Sequence, residues 1–193
     1  MDLKSLVQKN RSYRRFEQNT PVSLETLTEL VDLARLTGSA GNKQPLRYLV
    51  STAPDLNEKI FPTLAWAGAI PEWPGPEAGE RPAAYIVIAG DKNSWWEWST
   101  VDLGIVAQTI LLGAVDRGLG GCMIGVFKRK ILADILELPE GLELHLVIAL
   151  GKPVEEVVLE EVNPGDPLAY YRTLDQVHHV PKLKLQDVLV KTW

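Results

Sequence analysis

Three arginines and a serine fall within five residues at Arg11-Ser12-Tyr13-Arg14-Arg15. Guanidinium groups present rigid forks of N–H donors, and a neighbouring hydroxyl adds another, so the stretch suits a phosphate or a carboxylate. The plainer alternative is a solvated basic turn between two helices, which spacing alone does not exclude. Lys182 and Lys184 form a second basic pair. Their i, i+2 spacing puts both ammoniums on one side of an extended segment; a solvated edge is the competing reading. The loop Ser39-Ala-Gly-Asn42-Lys-Gln44 offers hydroxyl and amide groups to the edge of a heterocycle, or else is a polar turn. His178 and His179 are not read as metal ligands, because adjacent residues of an extended chain point to opposite faces and no third ligand stands nearby. Cys122, in an apolar run, reads as a buried and unreactive thiol. No Ser/His/Asp set and no carboxylate pair stands out. Anion clamps without acid–base machinery fit an enzyme whose cofactor does the chemistry.

The element that must position these groups is the apolar stretch Val101 to Arg117 with the glycine-rich run that follows it. Apolar or small residues occupy every face of this helix, which implies burial on all sides, in a core or between subunits. It is shorter than a membrane span requires. Gly118 is placed to end it as a left-handed cap. Gly120 and Gly121 then lead into a short buried strand, Cys122 to Ile124, that ends at Gly125. So many glycines around one strand imply that protein backbone or a flat ligand approaches closely. They are not a dinucleotide fingerprint, since they precede a strand and open no helix, and no phosphate-loop lysine follows.

The remaining pattern supplies the scaffold. Leu3, Leu6 and Val7 predict a short amphipathic helix ending near Asn10. Ser23 caps a helix whose core face is Leu24, Leu27, Leu30, Val31 and Ala34. Strands are expected at Arg47 to Thr52, Ala83 to Ala89 and Leu142 to Leu150, with helices from Asp55 to about Leu64 and from Lys128 to Glu137. Residues 66–81 carry Trp66, Trp73 and many prolines and glycines without periodicity. They read as a lid-like insertion or as cover for an apolar patch. Residues 164–193 read as an extended C-terminal arm. Strands mixed with helices, without β-α-β alternation, indicate an α+β fold in a single domain spanning 1–193. The net charge of −5 argues against nucleic acid as the main partner. A single cysteine and an N-terminus without an apolar leader core point to a cytoplasmic protein with no membrane partner.

The order of these motifs resembles the nitroreductase family of FMN-dependent oxidoreductases over nearly the full chain. Arg11-Ser-Tyr-Arg-Arg-Phe16 is similar to the family's R-S-x-R-x-F, and Ser39-Ala-Gly-Asn-Lys-Gln-Pro45 to its S-x-x-N-x-Q-P-W loop. Asp102 to Gly125 resembles its buried helix followed by G-L-G-x-C-x-I-G, and His178-His-Val-Pro-Lys182 its V-P-K segment. Leu46 departs from the family's usual tryptophan, and the arm reads Pro181-Lys-Leu-Lys184 where many relatives read Pro-Lys-Arg.

The resemblance implies a mostly antiparallel central sheet flanked by helices, in an intertwined homodimer with FMN at the interface. Arg11, Ser12, Tyr13 and Arg14 would form the cofactor-binding segment at the phosphate and ribityl chain, with Lys182 and Lys184 closing on the phosphate. Ser39, Asn42 and Gln44 would contact flavin or ribityl, from the same or the partner subunit. The main chain of Ile124, Gly125 and Val126 would lie against the isoalloxazine. The implied activity is ping-pong transfer of hydride from NADH or NADPH, through FMN, to a small nitroaromatic or quinone-type acceptor. The flavin carries the chemistry, and no catalytic side chain is assigned. The alternatives are a non-catalytic FMN-storage or sensing protein and a flavin-dependent reductive dehalogenase-type relative.

Overall fold

Ala84–Asp91 is a continuous apolar run, and in the computed structural model, which describes residues 1–193, it is the buried strand β2. The sheet around it also contains β1 (Leu46–Ser51), β3 (Gly120–Ile124) and β4 (Leu142–Gly151), in the order β1-β2-β4-β3. Every pairing in it is antiparallel, as the expected fold class requires. The register slips once: Ile88 faces Leu146 and Ala89 faces Leu144, which leaves His145 as a bulged residue. A bulge re-aims its side chain. Here the imidazole stacks on Trp95 with ring centroids 3.7 Å apart. Gly90 lies beneath this stack, where an added Cβ would come within 2.3 Å of the indole.

Helix α1 (Leu3–Lys9) starts at Asp2, whose carboxylate accepts from the Ser5 N–H, and stops at Asn10 as the sequence pattern predicts. Helix α2 (Leu24–Arg35) is capped by Ser23, whose Oγ accepts from the Thr26 N–H at 3.0 Å. It buries Leu27, Leu30 and Ala34, but Leu24 is exposed. At the first helical position Leu24 lies before the turn that meets the sheet, so its place in the heptad does not bury it. Helix α3 (Pro54–Ile60) is shorter than the pattern suggests, with one 3-10 turn after it at Phe61–Thr63. Pro62 has no N–H to donate to Glu58, so the α-helical ladder cannot pass it. Helix α5 is Arg129–Ile135.

The long apolar helix is α4 (Ser99–Asp116). By length and composition it could cross a membrane, but half of it is buried here. Val106, Ala107, Ile110, Leu111 and Ala114 join Leu27, Leu30, Ile86, Ile88 and Ile148 in the main core. Gly118, at φ 73°, ends the helix. The Leu119 N–H reaches Ala114 O at 2.9 Å, and the Gly118 N–H reaches Val115 O at 3.0 Å. This is the paired bonding of a left-handed C-terminal cap. Burial on every side does not hold within one chain: Trp98, Val101 and Ile105 are 51%, 47% and 40% exposed along one face.

The chain divides into two compact units, one of Met1–Trp66 with Gly75–Val154 and one of Ala67–Pro74 with Glu155–Trp193. The second unit contains the stretch read as an extended arm, 164–193, which is not merely extended: two of its segments form a sheet with the strand that precedes it. Strands β5 (Val157–Val162), β6 (Tyr171–Arg172) and β7 (His178–Leu183) lie in the order β5-β7-β6, with β5 and β7 parallel. A buried ion pair, Arg172 with Glu155, underlies it, and the Arg172 guanidinium sits 4.5 Å from the Trp73 ring. Helix α6 (Leu185–Val188) follows.

Candidate functional site

The arginine segment is held on the free edge of β3. Ser12 forms a parallel bridge with Gly121, and the Tyr13 N–H donates to Gly121 O at 3.1 Å. The edge can be approached this closely because the strand begins with glycines. A Cβ on Gly120 would stand 2.5 Å from the Tyr13 ring, and one on Gly121 would stand 2.3 Å from Ala149 O. The backbone approach that the glycine run implies is therefore, at these two positions, protein on protein. Gly125 differs, since nothing lies within 4 Å of where its Cβ would be. The space beside Gly125 is open, and it follows directly from the strand that carries the arginines. Ile124 is buried and Val126 exposed, and the Val126 carbonyl accepts from the Ala65 N–H at 3.0 Å.

The three arginines have different duties. Arg15 is committed to structure: its Nε and Nη2 bind both oxygens of Glu80 at 2.7 and 2.6 Å. Arg14 donates through Nη1 to Ser12 O at 3.1 Å. Arg11 donates through Nη2 to Val7 O at 2.7 Å, but its Nε is buried without a partner. Burial holds its guanidinium below the ordinary arginine pKa, an effect the nearby Tyr13 partly offsets. A half-buried cation with an unpaired donor is suited to receiving an anion. Tyr13 braces the segment, its hydroxyl donating to Lys9 O at 3.0 Å.

Ser39, Asn42 and Gln44 lie on one loop, and its geometry is strained. Gly41, Asn42 and Gln44 have φ of 58°, 52° and 47°, all left-handed. The anchor is Asp102, in the first turn of α4 and 2% exposed. Its carboxylate accepts from Ser39 Oγ at 2.6 Å and from the Ala40 N–H at 2.9 Å. Ser39 Oγ in turn accepts from the Gln44 N–H at 3.0 Å, so its proton and one lone pair are engaged inside the loop. Gln44 Nε2 donates to Asn42 Oδ1 at 3.0 Å. Lys43 lies 4.0 Å from the Trp96 ring and clamps the same loop from its other side. A cavity of about 220 Å³ opens here, lined by Ser39, Gln44, Arg47, Tyr48 and Asp102. Burial pushes the Tyr48 hydroxyl up to about 12, so it stays protonated at neutral pH. Asp102 is the loop anchor that sequence reasoning missed. The available signal was a carboxylate in the first turn of an otherwise apolar helix.

Within one chain these two groups of residues are not brought together. The loop leads into β1 and the arginine segment rides on β3, the opposite edges of the sheet. Three strand spacings separate those edges, roughly 14 Å. Lys182 and Lys184 belong to the second unit. There Lys182 is exposed on β7 opposite Glu161, and Lys184 Nζ donates to Asn163 Oδ1 at 2.9 Å. His178 and His179 do face opposite ways: His178 is buried, while His179 Nδ1 lies 2.6 Å from Glu160 and its ring stacks on Tyr171. Trp66 is buried against Phe61 in the first unit, whereas Trp73 belongs to the second.

The family model described as "Nitroreductase family" matches residues 7–152. A protein of Archaeoglobus fulgidus, provisionally named NADH dehydrogenase/NAD(P)H nitroreductase, is 28% identical over 141 residues, covering 70% of this chain and 76% of its own. Among solved structures, a nitroreductase family protein from Clostridium novyi NT aligns with a TM-score of 0.66 at 26% identity, over 79% of this chain and 86% of the other. An FMN-dependent nitroreductase from Clostridium difficile R20291 aligns with a TM-score of 0.65 at 21% identity, over 80% and 89%. At that identity the second likeness concerns the fold alone.

Proposed function

The chain belongs to the nitroreductase family, and on that premise we propose that it is an FMN-dependent oxidoreductase acting between NADH or NADPH and a small nitroaromatic or quinone-type acceptor. The observation that carries this reading is Arg11: a half-buried guanidinium with an unpaired Nε, held beside a glycine strand that leads to open space at Gly125. These features fit FMN, whose phosphate needs buried donors and whose flat ring needs a wall without side chains. When bound, FMN supplies the redox chemistry, taking hydride from the nicotinamide and delivering electrons to the acceptor.

The protein's part is binding and orientation. Arg11, Ser12 and Arg14 would hold the phosphate end, and Tyr13 keeps that segment on β3. The main chain of Ile124, Gly125 and Val126 would face the ring system. Asn42 and Gln44 would contact the flavin or ribityl from a loop whose shape Asp102 and Ser39 maintain. Lys182 and Lys184 are the further candidates for the phosphate. No side chain is required as a base, because positioning donor and acceptor in turn supplies most of the effect.

We place the complete site in a homodimer. The loop and the arginine segment occupy opposite sheet edges, so a second copy can unite them where one chain does not. The exposed apolar face of α4, formed by Trp98, Val101 and Ile105, offers the surface for that contact. Titration of the apoprotein with FMN, followed by quenching of flavin fluorescence, tests the assignment. Arg11→Met should weaken binding about ten- to a hundredfold, the worth of a hydrogen bond to a charged group. Unchanged affinity would remove Arg11 from the site.

A further inference from the structure

Residues 15–18, which lead out of the arginine segment, are gripped on both sides within the first unit. On one side the Val154 N–H donates to Arg15 O at 3.1 Å, Phe16 bridges Pro153, and the Glu17 N–H donates to Lys152 O at 2.8 Å. On the other side the Phe16 N–H donates to Glu80 O at 2.9 Å and the Gln18 N–H to Gly79 O at 3.1 Å. Gln18 Oε1 returns the contact, accepting from the Gly79 and Arg81 N–H groups at 2.7 and 3.3 Å. Phe16 is fully buried, and its ring lies 3.0 Å from where a Cβ on Gly151 would stand.

Glu80 holds this stretch by two different groups. Its carbonyl takes the Phe16 N–H, and its carboxylate takes the Arg15 fork at 2.7 and 2.6 Å. With side chains 20% and 33% exposed, the pair is shielded better than a surface bridge. A two-bond fork fixes geometry as well as charge. Two consequences follow for Arg14, the next residue back, and for Arg11 beyond it. The backbone at Arg15 cannot turn freely, so residues 11–14 are presented in one arrangement. The third guanidinium is also neutralised, so an arriving anion is met by Arg11 and Arg14 and not drawn toward Arg15.

We propose that Glu80 is a positioning residue for the phosphate end of the flavin site, acting through Arg15 on the arrangement of Arg11, Ser12 and Arg14. The proposal rests on the FMN reading above, and its test separates the two. FMN and riboflavin, which lacks the phosphate, are each titrated into the apoprotein and its variants, with quenching of flavin fluorescence as the readout. Wild type should prefer FMN. If the released segment holds the binding arrangement about a tenth of the time, Glu80→Ala weakens FMN about tenfold and leaves riboflavin unchanged. Glu80→Gln keeps the shape and one acceptor oxygen; it should lose about threefold on the same scale, and it carries the test if Glu80→Ala does not fold. Arg15→Met should match Glu80→Ala, and the double variant should be no weaker than either, because one pair carries the effect. Equal loss for both flavins would mean a general loosening and overturns the proposal, as do variants that keep or exceed the wild-type preference for FMN. A loss in Arg15→Met without one in Glu80→Ala would make Arg15 itself the ligand, and overturns it too. Wild type that binds FMN no better than riboflavin removes the phosphate site and the proposal with it. Wild type that binds neither flavin fails the FMN reading itself.

Discussion

Asp102 is the residue whose removal should reveal how the loop is built. Its carboxylate is buried and receives two hydrogen bonds, from Ser39 Oγ and the Ala40 N–H. Bonds to a charged group contribute about 1.5–3 kcal/mol each, and an unpaired buried donor costs a similar amount. Asp102→Ala removes both bonds and strands both donors, for a loss of about 3–5 kcal/mol. Asp102→Asn retains one acceptor oxygen but points an N–H₂ at a donor, for a loss of about 2–3 kcal/mol. The left-handed backbone at Asn42 and Gln44 adds to the effect, because such strain persists only while its surroundings enforce it. Urea unfolding followed by tryptophan fluorescence reads the change. With a slope of about 2 kcal/mol per molar, Asp102→Asn should lower the midpoint by about 1 M. FMN affinity should fall as well, since Asn42 and Gln44 would lose their presentation. A variant whose midpoint and FMN affinity both match wild type would refute the anchoring role.

Gly121, buried, and Gly125, exposed, should behave oppositely. Gly121→Ala drives a methyl against Ala149 O and should destabilise by about 2–3 kcal/mol, while Gly125→Ala should leave the urea midpoint nearly unchanged and weaken FMN binding. His145 introduces a pH dependence. Burial lowers its folded pKa below the ordinary 6.5, so below that pH the unfolded chain binds the proton more readily and stability declines as pH falls. His145→Phe, which preserves the stack on Trp95, should flatten that acidic limb relative to wild type in melts between about pH 5 and 7; parallel profiles would contradict this. Ile105→Arg places a charge on the exposed apolar face of α4 and should convert a dimer to monomer in light-scattering chromatography. A wild-type monomer, or a variant that stays dimeric, would count against that interface.

How much could be read from the chain differs by element. Ser23, Gly118 and the apolar run of β2 announce themselves through local chemistry: a capping hydroxyl, a residue tolerant of positive φ and an unbroken buried pattern. Their positions in the fold follow as expected. Strand β5 was not legible, because Glu160 and Glu161 break the apolar pattern; their companions, His179 and Lys182, are supplied by β7 from far along the chain. The division of duties among Arg11, Arg14 and Arg15 was equally hidden. Glu80, which occupies Arg15, lies 65 residues away. Ser39 shows the same limit: its type suggests a ligand contact, yet its hydroxyl is used by Asp102 and Gln44. Motif order conveys the family, whereas long-range partners decide which motif residues remain available.

The central claim is that this chain couples NAD(P)H to an acceptor through FMN. The most direct test is the anaerobic visible spectrum of FMN-loaded protein before and after addition of NADH or NADPH. The account predicts that the flavin band bleaches on mixing with at least one of the two nucleotides and returns when a quinone is added. A protein that takes up no FMN, or whose bound flavin band persists with both nucleotides, would contradict it.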